Sequence, residues 1–518
     1  MGMPQTPPPS TSTPVLSARR LSRRARTLAA CGLATVLLTS ACGSADATDA
    51  EADILRIAAA DASGTNGLDP LAASAGASQM VIRHLYDSLM VLEEGQYRLE
   101  LAESVEPNED ASEWTVTIRS DAVFHNGDPV TAADVAFSIS ALASPPSNRV
   151  SVYANVDLEN IEVVDEQTLT IPLHRAGADF RESTLVVYSP VFPAGTTDFA
   201  EGVGSGPYRL DSHDDQTIRL TAVEDHWRGT PTVDILEITI IPDATARLNA
   251  LKDEQIDYAV GISATGAQTI ADSDAVTLHN GGLETAFALS FAMNQQLEPF
   301  DDPRVREAVR LTADRQALVD TALLGFGEPA ADVVGGGLPG YSEAVTARTQ
   351  DLQTARDLFE AAGVTELTLR AGEILPGMMS AAQLFKQQLA EVGVELVIDE
   401  TPADTYYAEL EKLATHPFQA FYYANRPAAV HLAAVTVETA PFNVTGTTSQ
   451  YWQDLAEAQT IVDDDERLAA FTTLQNEFYG SGGDLLWGYA YQIDASHPRV
   501  GNVTISQGVP WFAAASIG

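Results

Sequence analysis

Positive charge is scarce in this chain of 518 residues, in which 29 basic residues face 72 acidic ones. Lysine occurs only as Lys252, Lys386 and Lys412, and the formal net charge is −43. Phosphate backbones need Lys and Arg to neutralise them, so nucleic acid is excluded as a partner. A surface this acidic suits a soluble, self-repelling protein and leaves cationic solutes open as ligands. Cysteine is scarcer still, with Cys31 and Cys42 both close to the N-terminus. If a leader is cut at Cys42, the remaining chain keeps one thiol and no internal disulfide, and its cores alone must hold it together. Beyond the leader no run reaches 18 uninterrupted apolar residues, and no fixed-period repeat is visible, which sets aside membrane-spanning helices, solenoids and propellers. His-Glu-x-x-His, Gly-x-Ser-x-Gly and Cys-x-x-Cys are all missing. The nine histidines are scattered without metal-ligand spacing. Neither an enzyme, a metal nor a cofactor is expected.

The N-terminus carries a clear targeting pattern. Arg19, Arg20, Arg23, Arg24 and Arg26 form a basic region with no acidic residue before it, and residues 28–41 (LAACGLATVLLTSA) are apolar. About 14 apolar residues are too few to span a bilayer comfortably, which favours a cleaved signal. Cys42-Gly43-Ser44 follows directly, and with Ser40 and Ala41 before the cysteine this resembles a bacterial lipobox. Thr39 stands where that motif usually has leucine, and Leu38 sits one place early. The resemblance implies diacylglycerol on Cys42, whose thiol alkylates readily, and a protein anchored to the outer face of the cytoplasmic membrane. The pair Arg23-Arg24 points only weakly to twin-arginine export, because Ala25, Arg26 and Thr27 are not the apolar residues that signal prefers. Small, polar and acidic residues in 43–53 form a flexible tether.

The rest is long enough for two or more lobes, and strand-like and helical segments alternate, which points to α/β architecture. Trp114, Val116 and Ile118 alternate with polar partners as in a half-buried strand. Asn126-Gly127 signals a turn, and Thr131 with Asp134 reads as a variant capping box opening a helix. A helix is expected over 78–89, a second over 244–252 and a third over 381–394. Asp302-Pro303 makes a good helix start. Gly202, Gly204 and Gly206 suggest a phosphate loop, but Pro207 occupies the place of a free helix amide and no Gly-Lys-Ser/Thr follows.

The same segments carry a family resemblance. LAESV at 101–105, EWTVTIR at 113–119 and VFHNGDPVTAADV at 123–135 resemble a signature of the solute-binding proteins that serve peptide- and nickel-type ABC importers, extracellular solute-binding family 5. LDP at 68–70, LYDSL at 85–89, GSGPY at 204–208, HWRG at 226–229, FAMN at 291–294 and DDPRVREA at 301–308 follow in the family's order. The resemblance runs from about 54 to 503.

It implies a two-lobed, periplasmic-binding-protein-like α/β fold with a hinge between the lobes and an additional inserted domain. By that analogy 1–41 is the signal peptide, 42–52 the tether, 53–86 with 191–286 and 488–518 lobe I, 87–190 the inserted domain, and 287–487 lobe II. It further implies capture of an oligopeptide or peptide-like solute in the interlobe cleft by a monomer. The ligand stabilises the closed form, which docks on membrane permease subunits served by separate ATPases. A metal chelate, haem or sugar ligand, or a sensor on the same fold, is the alternative reading. An envelope hydrolase would need a catalytic constellation that the sequence does not offer.

A closing cleft needs aromatic walls and a few polar anchors. The candidates are Tyr422, Tyr423, Asn425, Arg426, Trp487, Tyr489 and Asn294. Alternation sends Tyr422 and Tyr423 to opposite faces of a strand, so core packing competes with cleft lining for these aromatics. The family often reads W-x-A-D-Y-P-D-P here, and in peptide binders the first Asp pairs with the ligand's amino terminus. In this chain that position is Asn425, the second Asp is Ala428, and Arg426 adds a guanidinium. Asn cannot ion-pair with an ammonium group, whereas Arg suits a carboxylate or phosphate. The departure suggests a ligand held by an acidic group, unless Arg426 points to solvent.

Overall fold

Period-two burial places the strands. The computed structural model describes residues 52–518 apart from 62–66, 74–75, 94, 404, 408–412, 414 and 437–442. The leader, Cys42 and the tether as far as residue 51 therefore lie outside the described residues. In spatial order the first sheet consists of Thr277–Asn280, Ile493–Ser496, Tyr258–Ala259, Ile54–Ala59, Ile235–Ile240, Thr217–Ala222 and Tyr208–His213. Ile54–Ala59 runs parallel to both its neighbours, with Ile57 opposite Ile238 on one side and Tyr258 on the other. A second sheet orders Gly327–Glu328, Asp484–Ala490, Phe287–Met293, Phe418–Ala424, Glu366–Ala371 and Glu395–Glu400. A smaller sheet of Ala102–Pro107, Glu113–Ile118, Thr168–Pro172 and Glu162–Val163 is built wholly from 87–190.

The smaller sheet follows the sequence reading closely. Trp114, Val116 and Ile118 are buried while their neighbours are half-buried. Gly127 takes φ +90°, as a turn glycine can at no steric cost. The helix Ala132–Leu142 opens with the Asp134 carboxylate accepting from the Thr131 N–H at 2.8 Å and the Thr131 hydroxyl at 2.6 Å. The other Asp134 oxygen accepts from the Ala194 N–H at 2.7 Å, tying this helix to the chain that leaves the insert. Asp302 caps Pro303–Thr312 by accepting from the Arg304 N–H. The helices expected at 244–252 and 381–394 span Ala244–Lys252 and Met378–Glu391.

One expectation is corrected. The helix expected over 78–89 spans Gly76–Leu85. It stops because the Gly206 N–H donates to the Leu85 carbonyl at 2.9 Å, and the Asp87 carboxylate turns away to accept from Trp227 Nε1 at 2.8 Å. A Cβ on Gly204 would come 1.9 Å from the Leu85 oxygen, so GSGPY is a close-approach motif. The strand Asp484–Ala490 runs through residues 487 and 488, and its last residues pair with Phe287–Leu289 and with Gly327–Glu328.

Core faces follow from these sheets. One face of the second sheet packs Phe291, Met293, Phe418 and Trp487 against helices that supply Val305, Phe359 and Phe385. The other face carries Ala288, Phe421, Tyr423, Leu486 and Tyr489. Among the described residues no helix is long and apolar enough to cross a membrane.

Asp494 is fully buried in the strand Ile493–Ser496, which re-enters the first sheet. It accepts from the Gly261 N–H at 2.8 Å, the Tyr258 hydroxyl at 2.9 Å and Gln492 Nε2 at 3.2 Å. Desolvation outweighs these donors and pushes the carboxyl up to about 6 from 3.8. The folded chain then holds this proton more tightly than the unfolded chain, so stability is lost as pH rises from about 4 through 6. The loss attributable to this group is about 3 kcal/mol. Thermal midpoints measured from pH 4 to 7 are expected to fall less steeply in Asp494→Asn than in the wild type. Parallel profiles would assign the slope to other groups.

Candidate ligand-binding site

The chain crosses between the two large sheets twice. Residues 281–286 join Thr277–Asn280 to Phe287–Met293, and residues 491–492 join Asp484–Ala490 to Ile493–Ser496. The crossings run side by side, with the Gly281 N–H donating to the Gln492 carbonyl at 3.3 Å. Tyr491 is fixed by its hydroxyl to Glu328 at 2.6 Å and by its N–H to the Phe326 carbonyl. Any cleft between the two sheets has these crossings as its floor.

Four of the seven candidate residues gather there. The strand Phe418–Ala424 ends beside the first crossing, where the Asn425 N–H donates to the Ala286 carbonyl. The Asn425 side chain donates to the Leu283 carbonyl at 2.7 Å and the Gly336 carbonyl at 2.9 Å, and accepts from the Gly335 N–H at 2.9 Å. It therefore stitches three segments together and has little bonding capacity left. Tyr489 pins the same glycine loop, accepting from the Gly336 N–H at 3.0 Å and donating to the Val333 carbonyl at 3.4 Å. Tyr423 is buried, with its hydroxyl 3.3 Å from Asp484 and its ring edge-on to His431 at 4.8 Å. Arg426 follows, half-buried, with Nη2 3.4 Å from His431 Nδ1.

The remaining three lie elsewhere. Trp487 is fully buried and packs 6.1 Å from Phe291 in the helix-covered core, so cleft lining is replaced by core packing for this residue. The cause is a break in strand alternation: irregular pairing at Leu289 and Ser290 turns Trp487 to the opposite face from Tyr489. Tyr422 turns to the same helix-covered side, edge-on to Phe287 at 5.5 Å. Asn294 is buried beyond the far end of Phe287–Met293, where its N–H donates to the Pro417 carbonyl.

Several neighbours had no place in the sequence reading. Gly335–Leu338 forms a loop whose Leu338 is buried in the core of the inserted sheet; three consecutive glycines were the available signal. Ser290 donates to Asp484 at 2.6 Å beneath Tyr423, and burial pushes the Asp484 carboxyl up. Burial, reinforced by Arg426, holds His431 well below the usual imidazole range. The Tyr407 hydroxyl is buried with no hydrogen-bond partner among the described residues, and desolvation raises it. Among the described residues no group of three His, Cys, Asp or Glu side chains is placed to hold a metal ion.

Residues 178–182 also touch residues 459–467 directly. The Ala178 N–H donates to the Gln459 carbonyl at 2.6 Å, and Gln459 Nε2 donates to Asp179 at 3.2 Å. Arg181 pairs with Asp464 at 3.2 Å, and Arg467 lies 3.7 Å from Glu182. Burial pushes the Asp179 and Glu182 carboxyls up against the pull of these partners. Leu338, buried in the same cluster as Trp114 and Val116, adds an apolar contact.

Comparison with known proteins agrees with this architecture. The model for "Bacterial extracellular solute-binding proteins, family 5 Middle" matches residues 96–429. The glutathione-binding protein GsiB of Salmonella typhimurium is 27% identical over 363 residues, which is 66% of this chain and 69% of that protein. The crystal structure of a putative peptide-binding protein, AppA from Clostridium difficile, superposes with a TM-score of 0.77 at 20% identity, covering 90% of this chain and 100% of that one. NikA from Staphylococcus aureus, solved with Ni(L-His)2, gives a TM-score of 0.71 at 17% identity, with 90% and 100% covered. The fold is thus that of the two-lobed binding proteins, and the chain belongs to the bacterial extracellular solute-binding proteins of family 5.

Proposed function

We propose that this protein captures a small peptide-like solute between its two lobes and delivers it to the permease of an ABC importer. The observation that carries this reading is the 27% identity with a glutathione-binding protein over two thirds of both chains. The paired crossings fit a hinge, and the contacts between 178–182 and 459–467 fit a closed state. A bound solute favours closure by the difference in its affinity for the two states. The protein acts as a monomer outside the cytoplasm, held to the membrane by lipid on Cys42. The support for that anchor is the basic, apolar and small-residue order that precedes the cysteine. The relatives are binding proteins, and no reaction is assigned.

Mass spectrometry of solutes released from the purified protein, followed by calorimetry with glutathione and short peptides, tests the ligand class. Peptide-like solutes are expected to bind at micromolar concentration or below. Preference for a nickel–histidine chelate, haem or a sugar would overturn the reading.

Closure has its own test. Asp464 is two-thirds exposed, so its pair with Arg181 is worth at most about 1 kcal/mol. Arg181→Ala is expected to raise the solute dissociation constant by up to about fivefold and to expand the ligand-free protein in solution scattering. Unchanged affinity and scattering would remove this pair from the closing mechanism.

Asn425 gives a third test. Asp at this position could not donate to the Leu283 and Gly336 carbonyls, and would set a carboxylate against both. Asn425→Asp is expected to lower stability by about 2–4 kcal/mol in denaturant unfolding, with no gain in affinity for amine-bearing solutes. Tighter binding of free-amine peptides at unchanged stability would contradict this assignment.

A further inference from the structure

Arg426 is bonded unlike the other buried arginines. Arg310, Arg315 and Arg348 converge on Asp332. Arg247 bonds the Ile241 and Pro242 carbonyls, Arg306 the Phe300 carbonyl, Arg149 the Ala73 carbonyl and Arg370 the Tyr406 carbonyl. Arg426 bonds no oxygen among the described residues. Its Nε is buried without a partner, and its one polar contact is the His431 nitrogen at 3.4 Å. A guanidinium offers five donors and is never neutralised in practice, so leaving its Nε buried without a partner is costly. With 72 acidic residues in the chain, the missing partner does not reflect a shortage of carboxylates.

The surroundings hold the group in place. Asn425 is bonded to three backbone segments, and Pro427 fixes its own φ and restricts Arg426 before it, so the backbone on either side of Arg426 is held. Tyr423 and His431 flank it, and neither supplies negative charge, since burial keeps the phenol protonated and the imidazole neutral. The residue before it, Asn425, is bonded to Leu283 of the first crossing, which sets Arg426 one residue from that crossing. A planar fork that is positioned, desolvated and lacking an oxygen partner is complementary to a carboxylate.

We propose that Arg426 is the specificity-determining residue of the cleft and receives a carboxylate of the bound solute through its Nε and Nη donors. This rests on the peptide-like reading given above and adds that the solute is recognised by its acidic end. It also accounts for the neutral residue at 425, since with Arg426 beside it that position serves the backbone rather than a ligand amine.

The test compares glutathione and a set of di- and tripeptides, each as the free acid and with its carboxylates converted to amides, on the wild type and on Arg426→Gln. The wild type is expected to bind acids at least about tenfold more tightly than amides, and the variant to lose that preference. Without ligand, the variant's thermal midpoint is expected to equal or exceed the wild type's, because an unpaired buried charge has been removed. An acid preference retained by Arg426→Gln, or a lowered unliganded midpoint, overturns the proposal; the latter would make Arg426 a structural cation. If neither acids nor amides bind the wild type, the peptide-like reading falls, and succinate decides the carboxylate site separately. A wild-type midpoint raised by succinate, with the variant's unmoved, upholds the site. Equal responses discard it.

Discussion

The structure depends on one constraint: the chain passes between its two large sheets along two neighbouring tracks. Phe287–Met293 lies beside Asp484–Ala490 in the second sheet, and Thr277–Asn280 lies beside Ile493–Ser496 in the first. The two sheets therefore share a two-stranded connection whose register is set on both sides. Only 281–286 and 491–492 are left to absorb a change of angle. A short paired connection of this kind permits rotation while resisting separation, which is the mechanical requirement for a clamp. The buried Asp494 and the Tyr491–Glu328 bond stiffen the ends of the second track.

The segments that identify the family act mainly as fasteners around this connection. The glycines of GSGPY let the backbone approach the end of Gly76–Leu85, and the aspartate of LYDSL receives the tryptophan of HWRG. Asp134 links its own helix start to Ala194. Each of these bonds joins one part of the chain to another. They fasten the smaller sheet and its helix to neighbouring chain, while 178–182 meet 459–467. The recognisable part of the chain supplies these fasteners, and under the proposal above the less typical loop at 425–426 meets the solute.

Local signals were legible because they need only neighbouring residues. The alternation of Trp114, Val116 and Ile118, the Thr131–Asp134 helix start and the Asp302 cap all follow from short-range sterics and hydrogen bonding. What depended on distant strands was not legible. Trp487 and Tyr489 are two residues apart and so look alike by period, yet irregular pairing at Leu289 and Ser290 separates their faces. The end of Gly76–Leu85 is set by Gly206, more than a hundred residues away, and no helix propensity near Leu85 reports it. Asn425 drew notice as a ligand contact through its difference from the family. Its bonds to Leu283, Gly335 and Gly336 could not be read without the fold.

Charge placement connects these levels. The large acidic excess stays affordable because most carboxylates are solvated, where repulsion is screened within about 10 Å. Where carboxylates are buried, the chain supplies specific partners: three arginines around Asp332, Ser290 and Tyr423 on Asp484, backbone and tyrosine donors on Asp494. Burial of charge is thus matched by opposite charge or by hydrogen bonds almost wherever it occurs. Arg426 departs from that rule beside the crossings, on the residue next to the one whose side chain is fully committed to the backbone. A neutral, saturated Asn425 fixes the geometry, and an unsaturated neighbour is left free to bond. That division separates the requirement for a rigid cleft floor from the requirement for an anchor, and it lets the anchor's charge differ from the family pattern without disturbing the fold.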